Sequence, residues 1–217
     1  MLINADFSAR ALVTPDQYEW VASPQAGVER VMLDRIGEEK ARATSIVRYA
    51  ARSRFPGHHH PGGEEILVLS GTFSEDNSHY PAGWYLRSPP GSSHVPFSDE
   101  GAVIFVKLRQ MDPGEKQSVR IDTHDPANWI TLKDRESCPL FASETEKVSM
   151  ERLPARTHVF SGEVDGAEIL ILEGSLQEGS QIYEQGSWVR LPPGSYPDLI
   201  TGHANTMFYL KTGHLSI

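Results

Sequence analysis

Three histidines and one glutamate have the spacing of a metal-binding site. His58, His60 and Glu64 lie within one short segment, and His94 follows after the turn Pro89-Pro90-Gly91. Residues two apart in a strand point to the same face, so His58 and His60 project together, and Glu64 lies a further even step beyond a Pro-Gly-Gly bend. Three imidazoles and one carboxylate form a ligand set for a divalent transition metal.

The spacing around these residues resembles the two motifs of the cupin superfamily. The first motif is His-x-His-x3-Glu-x6-Gly and ends at Gly71; the second is Gly-x5-Pro-x-Gly-x2-His and begins at Gly83. Arg52 replaces the usual first Gly and Ser98 the usual last Asn, but neither position is a ligand. The alternative, a polar strand end with solvated histidines, does not explain why His94 stands at the matching distance.

The resemblance implies a small antiparallel jelly-roll barrel with room for a metal and one small ligand. The predicted ligands are His58, His60, Glu64 and His94. We expect one divalent transition metal, zinc in the first place, with iron, manganese or nickel as alternatives. Four ligands can close a zinc site as a structural tetrahedron, whereas the other ions keep open positions for water, dioxygen or substrate.

The neighbouring residues have simpler interpretations. His59 is expected to point out of the barrel, Glu65 to point away from the metal as a structural residue, and His79 to be solvated in a turn. Several aromatic residues are candidates for the pocket wall, although aromatic residues in barrel strands are usually core. They are Tyr49, Phe73, Tyr85, Phe97 and Phe105.

Composition excludes several classes of protein. The chain has 217 residues with the charged and apolar fractions of a globular protein, and its net charge of −9 argues against a nucleic-acid surface. Its one cysteine, Cys138, cannot form an internal disulfide, which suits a cytoplasmic location. We expect no membrane association, because the sequence shows neither a signal peptide nor an apolar segment of spanning length.

Short runs of alternating or β-branched residues, punctuated by Gly and Pro, predict an all-β protein. The chain also repeats itself: at a shift of 103 residues, residues 65–71 match 168–174 and Phe105 falls on Phe208 without a gap. The sequence therefore predicts two tandem double-stranded β-helix (jelly-roll) barrels, residues 1–112 and 113–217. Short helices are expected only at residues 5–12 and after Asp34.

The second half has lost the ligand pattern. At the same shift the four ligand positions hold other residues, none of them histidine: Ser161, Glu163, Ala167 and Pro197. His158 is nearby but out of register. We expect the second barrel to be metal-free and to serve packing, homodimer formation or a pocket wall.

Beyond the motifs, most of residues 15–110 resembles the cupin domain of ChrR-type anti-sigma factors. The similarity lies in residues 43–49, 55–74, 81–94 and 104–108. In that family the domain binds zinc and helps to sense reactive oxygen, while a separate N-terminal helical domain with its own His and Cys zinc site holds the sigma factor. This sequence has no such domain and no Cys before Cys138, so we expect no sigma-factor binding by that route.

Two classes of function remain open, and the sequence leaves undecided whether the protein is an enzyme. The first is a binding or sensor module that responds to a small molecule or to reactive oxygen. The second is a metal-dependent dioxygenase acting on a small carbonyl or phenolic substrate. The first is favoured, because no second catalytic group accompanies the ligands in the sequence.

Overall fold

The computed structural model describes residues 1–38 and 40–215. These residues form short β-strands, and every strand pair is antiparallel. The strands up to residue 122 are β1 (Leu2–Ile3), β2 (Ala11–Val13), β3 (Val21–Ala22), β4 (Val28–Ile36), β5 (Arg42–Tyr49), β6 (Ser53–Arg54), β7 (His58–His60), β8 (Glu64–Glu75), β9 (Ser78–Pro81), β10 (Trp84–Ser88), β11 (Ser92–His94), β12 (Pro96–Ser98), β13 (Ala102–Leu108) and β14 (Val119–Asp122). The later strands are β15 (Ile130–Thr131), β16 (Glu136–Ala142), β17 (Lys147–Leu153), β18 (Ala167–Glu173), β19 (Ser175–Glu178), β20 (Gln181–Glu184), β21 (Trp188–Leu191), β22 (Leu199–Thr201) and β23 (Thr206–Thr212).

The first compact unit comprises residues 1–5 and 19–124. Its main sheet has the order β1-β4-β5-β13-β8-β10-β14, and the far half of the long strand β8 pairs instead with β9 and β12. Apolar side chains from both sheets meet in one core, including Val28, Ile66, Phe73 and Ile104. The short strands β7 and β11 pair only with each other. The unit is thus a two-sheet jelly roll with a separate strand pair.

The second compact unit comprises residues 6–18 and 125–215. Its main sheet, β15-β16-β17-β23-β18-β21-β2, follows the same order as the first, with a smaller sheet β20-β19-β22. Its core is fully buried and includes Ile169, Ile171, Val189 and Phe208. A single bridge between Val164 and Gly194 stands where the first unit has the β7–β11 pair. Cys138 is also buried, and burial raises the pKa of its thiol to about 11, so it behaves as a neutral packing residue.

The compact units differ from the expected division, residues 1–112 and 113–217, at two places. Residues 6–18 belong to the second unit, and residues 113–124 belong to the first. The cause is a reciprocal exchange of leading strands. Strand β2 precedes the first repeat but pairs with β21, while β14 precedes the second repeat but pairs with β10. A boundary drawn at the Pro-Gly segment near residue 113 cannot show this exchange.

The all-β class and the two-barrel architecture are confirmed. The helix expected at residues 5–12 is wrong, because these residues form turns and the start of β2. After Asp34, β4 ends at Ile36, residues 37–38 and 40 form bends and a turn, and residue 39 lies outside the described residues. The described residues contain two 3-10 turns, Pro15–Gln17 and Pro126–Asn128, and no helix long and apolar enough to cross a bilayer.

The repeat is not gap-free to its end. Strands β10 and β21 pair with β8 and β18 at the expected shift, since Leu86 opposite Ile66 matches Val189 opposite Ile169. The last strands are shifted by one residue more, because the start of β13 at Ala102 corresponds to the start of β23 at Thr206. The loop before β23 is therefore one residue longer, and Phe105 corresponds to Tyr209 rather than Phe208.

Gly71 ends the apolar run of β8 and offers a test of this backbone packing. It has φ of +67°, and a Cβ placed there would overlap the carbonyl oxygen of Gly101. We expect Gly71→Ala to lower the free energy of unfolding of the first unit by about 2–4 kcal/mol, through left-handed strain and overpacking together.

Gly179→Ala is the matched control, measured in the same urea titration. Its φ is +60°, but a Cβ there has nothing within 4 Å, so only the conformational cost of about 1 kcal/mol applies. Equal losses in the two variants would show that the close approach to Gly101 does not constrain the fold.

Candidate metal centre

The pairing of β7 with β11 brings the histidines together. His94 lies directly opposite His58, and Ser92 lies opposite His60. Opposite residues of an antiparallel pair share a face, so the three imidazoles project from one side of this ribbon. His59 alternates to the other face and is exposed, as expected. Two short strands thus place two sequence motifs, thirty residues apart, at one point.

The turn after β7 positions the carboxylate of Glu64 next to the histidines. Gly63 has φ of +75°, and its N–H donates to the His60 carbonyl at 3.1 Å. This turn reverses the chain so that Glu64 begins β8 beneath the imidazoles. Gly91 N–H also donates to the His60 carbonyl, at 2.9 Å, which fixes the second motif against the first. Glu65 points to the opposite side, where it accepts a hydrogen bond from Arg87 at 2.8 Å, so its structural role agrees with expectation.

The three predicted histidine ligands lie together in the structure, and Glu64 lies beside two of them. The Nε2 atoms of His60 and His94 are 3.0 Å apart, and Glu64 Oε2 lies 3.4 Å from the first and 3.5 Å from the second. The three histidines each offer a ligand atom within 4.8 Å of the others. Donors bound to one metal at about 2.0–2.2 Å lie about 3.0–3.5 Å apart, so His60, Glu64 and His94 have the spacing that a metal requires. Whether the four bind an ion stays a prediction.

The side chains around the ligands hold the imidazoles in orientation. His94 Nδ1 donates to Glu75 Oε2 at 2.6 Å, and Glu75 Oε1 accepts from Arg120 at 2.8 Å. His58 Nδ1 donates to the Pro56 carbonyl at 2.9 Å. Each contact occupies Nδ1 and leaves Nε2 for a metal, which is the usual carboxylate–histidine–metal arrangement.

Sequence analysis missed Glu75 and Arg120. Glu75 lies at the end of β8, eleven residues past the ligand Glu64, and neither cupin motif includes it. Arg120 lies on β14, in the part of the chain that was assigned to the second barrel. The available signal was that Glu75 follows Phe73 at an even step and so shares its inward face.

Burial sets the protonation of the ligands. It raises the pKa of the Glu64 carboxyl to about 7, although the nearby His94 acts in the opposite direction. Burial, followed by repulsion from His94 and His58, lowers the pKa of His60 to about 3. Burial also lowers the pKa of His58. At neutral pH these two imidazoles are therefore neutral, with lone pairs available to a cation.

His94 behaves differently because of its carboxylate neighbours. Burial alone would lower its pKa, but the hydrogen bond to Glu75 and the charge of Glu64 outweigh burial and raise it. Burial of Glu75 is likewise outweighed, by His94 and Arg120, so its pKa is lowered. A buried group of three imidazoles and a carboxyl gains most from a shared cation, because the cation favours the ionised Glu64 and the neutral imidazoles.

The ligands lie in the wall of a cavity of about 480 Å³. Tyr49, one of the expected aromatic residues, lines it together with Phe55, which sequence analysis did not select. Phe73 packs 6.1 Å from the His94 ring. The cavity lining does not include Phe73, Tyr85, Phe97 or Phe105. For Tyr85 and Phe105 the buried side chains serve the scaffold instead.

In the second unit the structure puts the corresponding residues to other uses. Ala167 begins β18 as Glu64 begins β8, and it is fully buried. His158 contacts the Pro197 carbonyl, and His203 contacts Arg156. Among residues 1–38 and 40–215, the one group of three His, Cys, Asp or Glu close enough to share a metal is that of the first unit. A metal-free second barrel stays a prediction.

Comparison with family models identifies the first unit. Residues 8–112 match the model described as the ChrR Cupin-like domain. This region of the chain is similar to the ChrR cupin-like domain family. Both ligand motifs of this domain, including all four predicted metal ligands, fall within the match. Arg120 lies beyond it, although the structure places Arg120 in the same unit.

Solved structures show the same fold along nearly the whole chain. A candidate dioxygenase from Nostoc punctiforme is 13% identical, with a TM-score of 0.71 over 98% of this chain and 81% of that one. A bacterial pirin from Escherichia coli, solved with nickel(II), is 10% identical, with a TM-score of 0.70 over 94% and 98%. A Cupin 2 conserved barrel domain protein from Leptotrichia buccalis is 11% identical, with a TM-score of 0.59 over 89% and 92%. No match was found among curated proteins.

The first prediction from the cupin-like domain concerns His94, which joins β11 to the other ligands. We expect His94→Ala to abolish stoichiometric metal binding and the stabilisation by metal, about 2.7 kcal/mol when the metal is at a hundredfold its dissociation constant. Metal content and thermal melting with and without chelator are the measurements. His158→Ala and His203→Ala, in the second unit, are the controls and should match wild type. Full metal content in His94→Ala would refute the assignment of the second motif.

The second prediction concerns Glu75, which orients His94. We expect Glu75→Gln to weaken metal affinity about 10- to 100-fold without abolishing binding, as is usual when a carboxylate behind a histidine ligand is neutralised. Competition with a chromophoric chelator measures the affinity. Glu29→Gln is the control, because Glu29 is a partly exposed carboxylate of the same unit that pairs with Arg48. Unchanged affinity in Glu75→Gln would contradict the orienting role.

Proposed function

We propose that the first unit binds one divalent transition metal through His58, His60, Glu64 and His94 and presents it to a small molecule in the adjoining cavity. The observation that carries this proposal is the grouping of the three histidines at the cavity wall, with Glu64 beside His60 and His94. The protein acts in this proposal as a small-molecule or reactive-oxygen sensing and binding module. The metal, when bound, supplies a Lewis-acidic position for an oxygen donor.

The groups around the cavity favour binding over catalysis. Beyond the four ligands, the titratable residues that line it are Arg30, Tyr49, His59 and Arg109. Burial raises the pKa of Tyr49, so it stays a neutral phenol, and His59 is exposed. No carboxylate other than Glu64 belongs to this lining. A dedicated general base next to the metal is thus absent from the described cavity wall, which supports a sensing or binding role.

The identity of the metal distinguishes the proposed sensing or binding function from the alternative, a dioxygenase. With zinc, the four ligands can complete a tetrahedron, which suits a structural or sensing site. With iron, manganese or nickel, five- or six-coordination leaves positions open towards the cavity. Zinc is our first choice, in keeping with the zinc that the ChrR resemblance implies.

The alternative is a metal-dependent dioxygenase acting on a small carbonyl or phenolic substrate. The observation in its favour is the cavity of about 480 Å³, which is large enough for an organic molecule beside the ligands. The structural similarity to a candidate dioxygenase establishes only the shared fold. The alternative requires a redox-active metal and substrate-dependent oxygen consumption.

The remaining features of the proposal rest on composition. We propose a cytoplasmic protein that binds neither nucleic acid nor membranes, because the net charge is −9 and the single cysteine is a buried free thiol. Sigma-factor binding is not part of the proposal. Size-exclusion chromatography would decide between a monomer and a homodimer.

Metal analysis of protein purified without added metal is the decisive experiment. We expect about one equivalent of zinc per chain, removed by a chelator and restored by adding zinc back. The double variant His60→Ala/His94→Ala is the negative control. Stoichiometric iron together with oxygen consumption on adding a 1,3-dicarbonyl compound would replace the sensing role by the dioxygenase. A protein that binds no divalent metal would overturn both.

A further inference from the structure

The cavity of the first unit has a second polar region, formed by Arg30. Arg30 lies on β4 directly opposite Val47 of β5, and Val28 lies opposite Tyr49. All four of these residues line the cavity, so Arg30 is on the inward face of the sheet. The predicted metal ligands and Arg30 therefore line the same cavity.

Arg30 has no partner in the part of the chain that the structure describes. Its Nε is completely buried and forms no hydrogen bond, and no carboxylate of residues 1–38 or 40–215 forms an ion pair with it. Two other arginines of this unit are paired: Arg87 with Glu65 and Glu115, and Arg120 with Glu75. The side chain as a whole is partly exposed, but its buried Nε donor has no acceptor, which costs free energy unless a ligand supplies one.

The cavity that Arg30 shares with the predicted metal ligands has a partly apolar lining. Val47, Ile104, Val106 and Leu108 belong to it. Arg109 adds a second cationic side chain to the lining. This distribution fits a molecule with an anionic end, a short apolar body and an oxygen donor at the other end. Guanidinium groups bind carboxylates through paired, charge-assisted hydrogen bonds.

We propose that Arg30 is the carboxylate-binding residue of this cavity and that its ligand is a small organic acid carrying a second oxygen donor for the metal. The proposal rests on the proposed function only for the metal end. It concerns the ligand class, which neither the ligand motifs nor the comparisons assign. The apolar walls select against inorganic anions, which have no apolar body to bury.

Calorimetric titration of the zinc-loaded protein with 5-oxohexanoate tests the carboxylate site. Its neutral amide, 5-oxohexanamide, and inorganic phosphate are the comparison probes. We expect the acid to bind at least about tenfold more tightly than the amide, because a charge-assisted hydrogen bond is replaced by a neutral one. Phosphate should bind more weakly than the acid.

Variants of Arg30 test whether this residue causes the preference for the acid over the amide. Arg30→Gln should lose about 10- to 100-fold in affinity for the acid and none for the amide, and Arg30→Lys should recover part of the loss. Arg48→Gln is the matched control. Arg48 lies on the neighbouring strand β5 but pairs with Glu29 on the outside, where 46% of its side chain is exposed. It should bind the acid like wild type.

Stability and metal content separate the possible failures. Arg30→Gln should keep full zinc content and melt no lower than wild type, since it removes an unpaired buried donor. Equal binding of acid and amide, no binding of the acid, phosphate binding as tight as the acid, or unchanged affinity in Arg30→Gln would each overturn the proposal. If the protein binds no metal but Arg30-dependent binding of the acid persists, the metal-binding function fails and the carboxylate site stands.

Discussion

The pairing of β7 with β11 is the constraint on which the candidate site depends. It is a two-strand ribbon joined to no larger sheet, yet it must hold three imidazoles side by side. Isolated ribbons of this length have little stability of their own. The hydrogen bond between His94 and Glu75 ties β11 to the end of β8, and Gly91 ties the second motif to His60. A bound cation would add the remaining connection between the two motifs.

The exchange of leading strands explains why the candidate site includes a residue that lies outside the two ligand motifs. Arg120, which holds Glu75, comes from β14, and β14 leads into the second repeat. The second unit is completed in the same manner by β2, through its pairing with β21. Neither repeat, taken as a continuous stretch of sequence, contains all the strands of one unit. Truncation at residue 112 would therefore remove a part of the first unit that orients a predicted ligand.

Sequence analysis could predict what local spacing encodes. Even steps along a strand and the Pro-x-Gly turn were enough to predict that the three histidines lie together, because side-chain direction follows from the period of a strand. Arg120 was not found because β14 joins this unit through pairing with β10, which is remote in sequence. Glu75 and Arg30 were not found because both lie outside the two ligand motifs. The helix expected at residues 5–12 was wrong because the pairing of β2 with β21 overrides local propensity. The match of Phe105 with Tyr209, rather than with Phe208, was also missed. The extra residue in the loop before β23 leaves the apolar pattern of the strand almost unchanged.

The contrast between the two units follows from the energetics of a buried carboxyl. Glu64 is fully enclosed, and burial raises its pKa to about 7, which measures how poorly the unit tolerates its charge without a cation. Where the ligand pattern is lost, the same position holds Ala167, and an apolar core fills the second unit. An isolated buried carboxyl would be unfavourable there. The first unit holds the carboxylate and the histidines together, and it also holds Arg30, whose buried Nε has no partner in the described chain. Retention of two such groups around one cavity is the pattern of a binding site rather than of a scaffold.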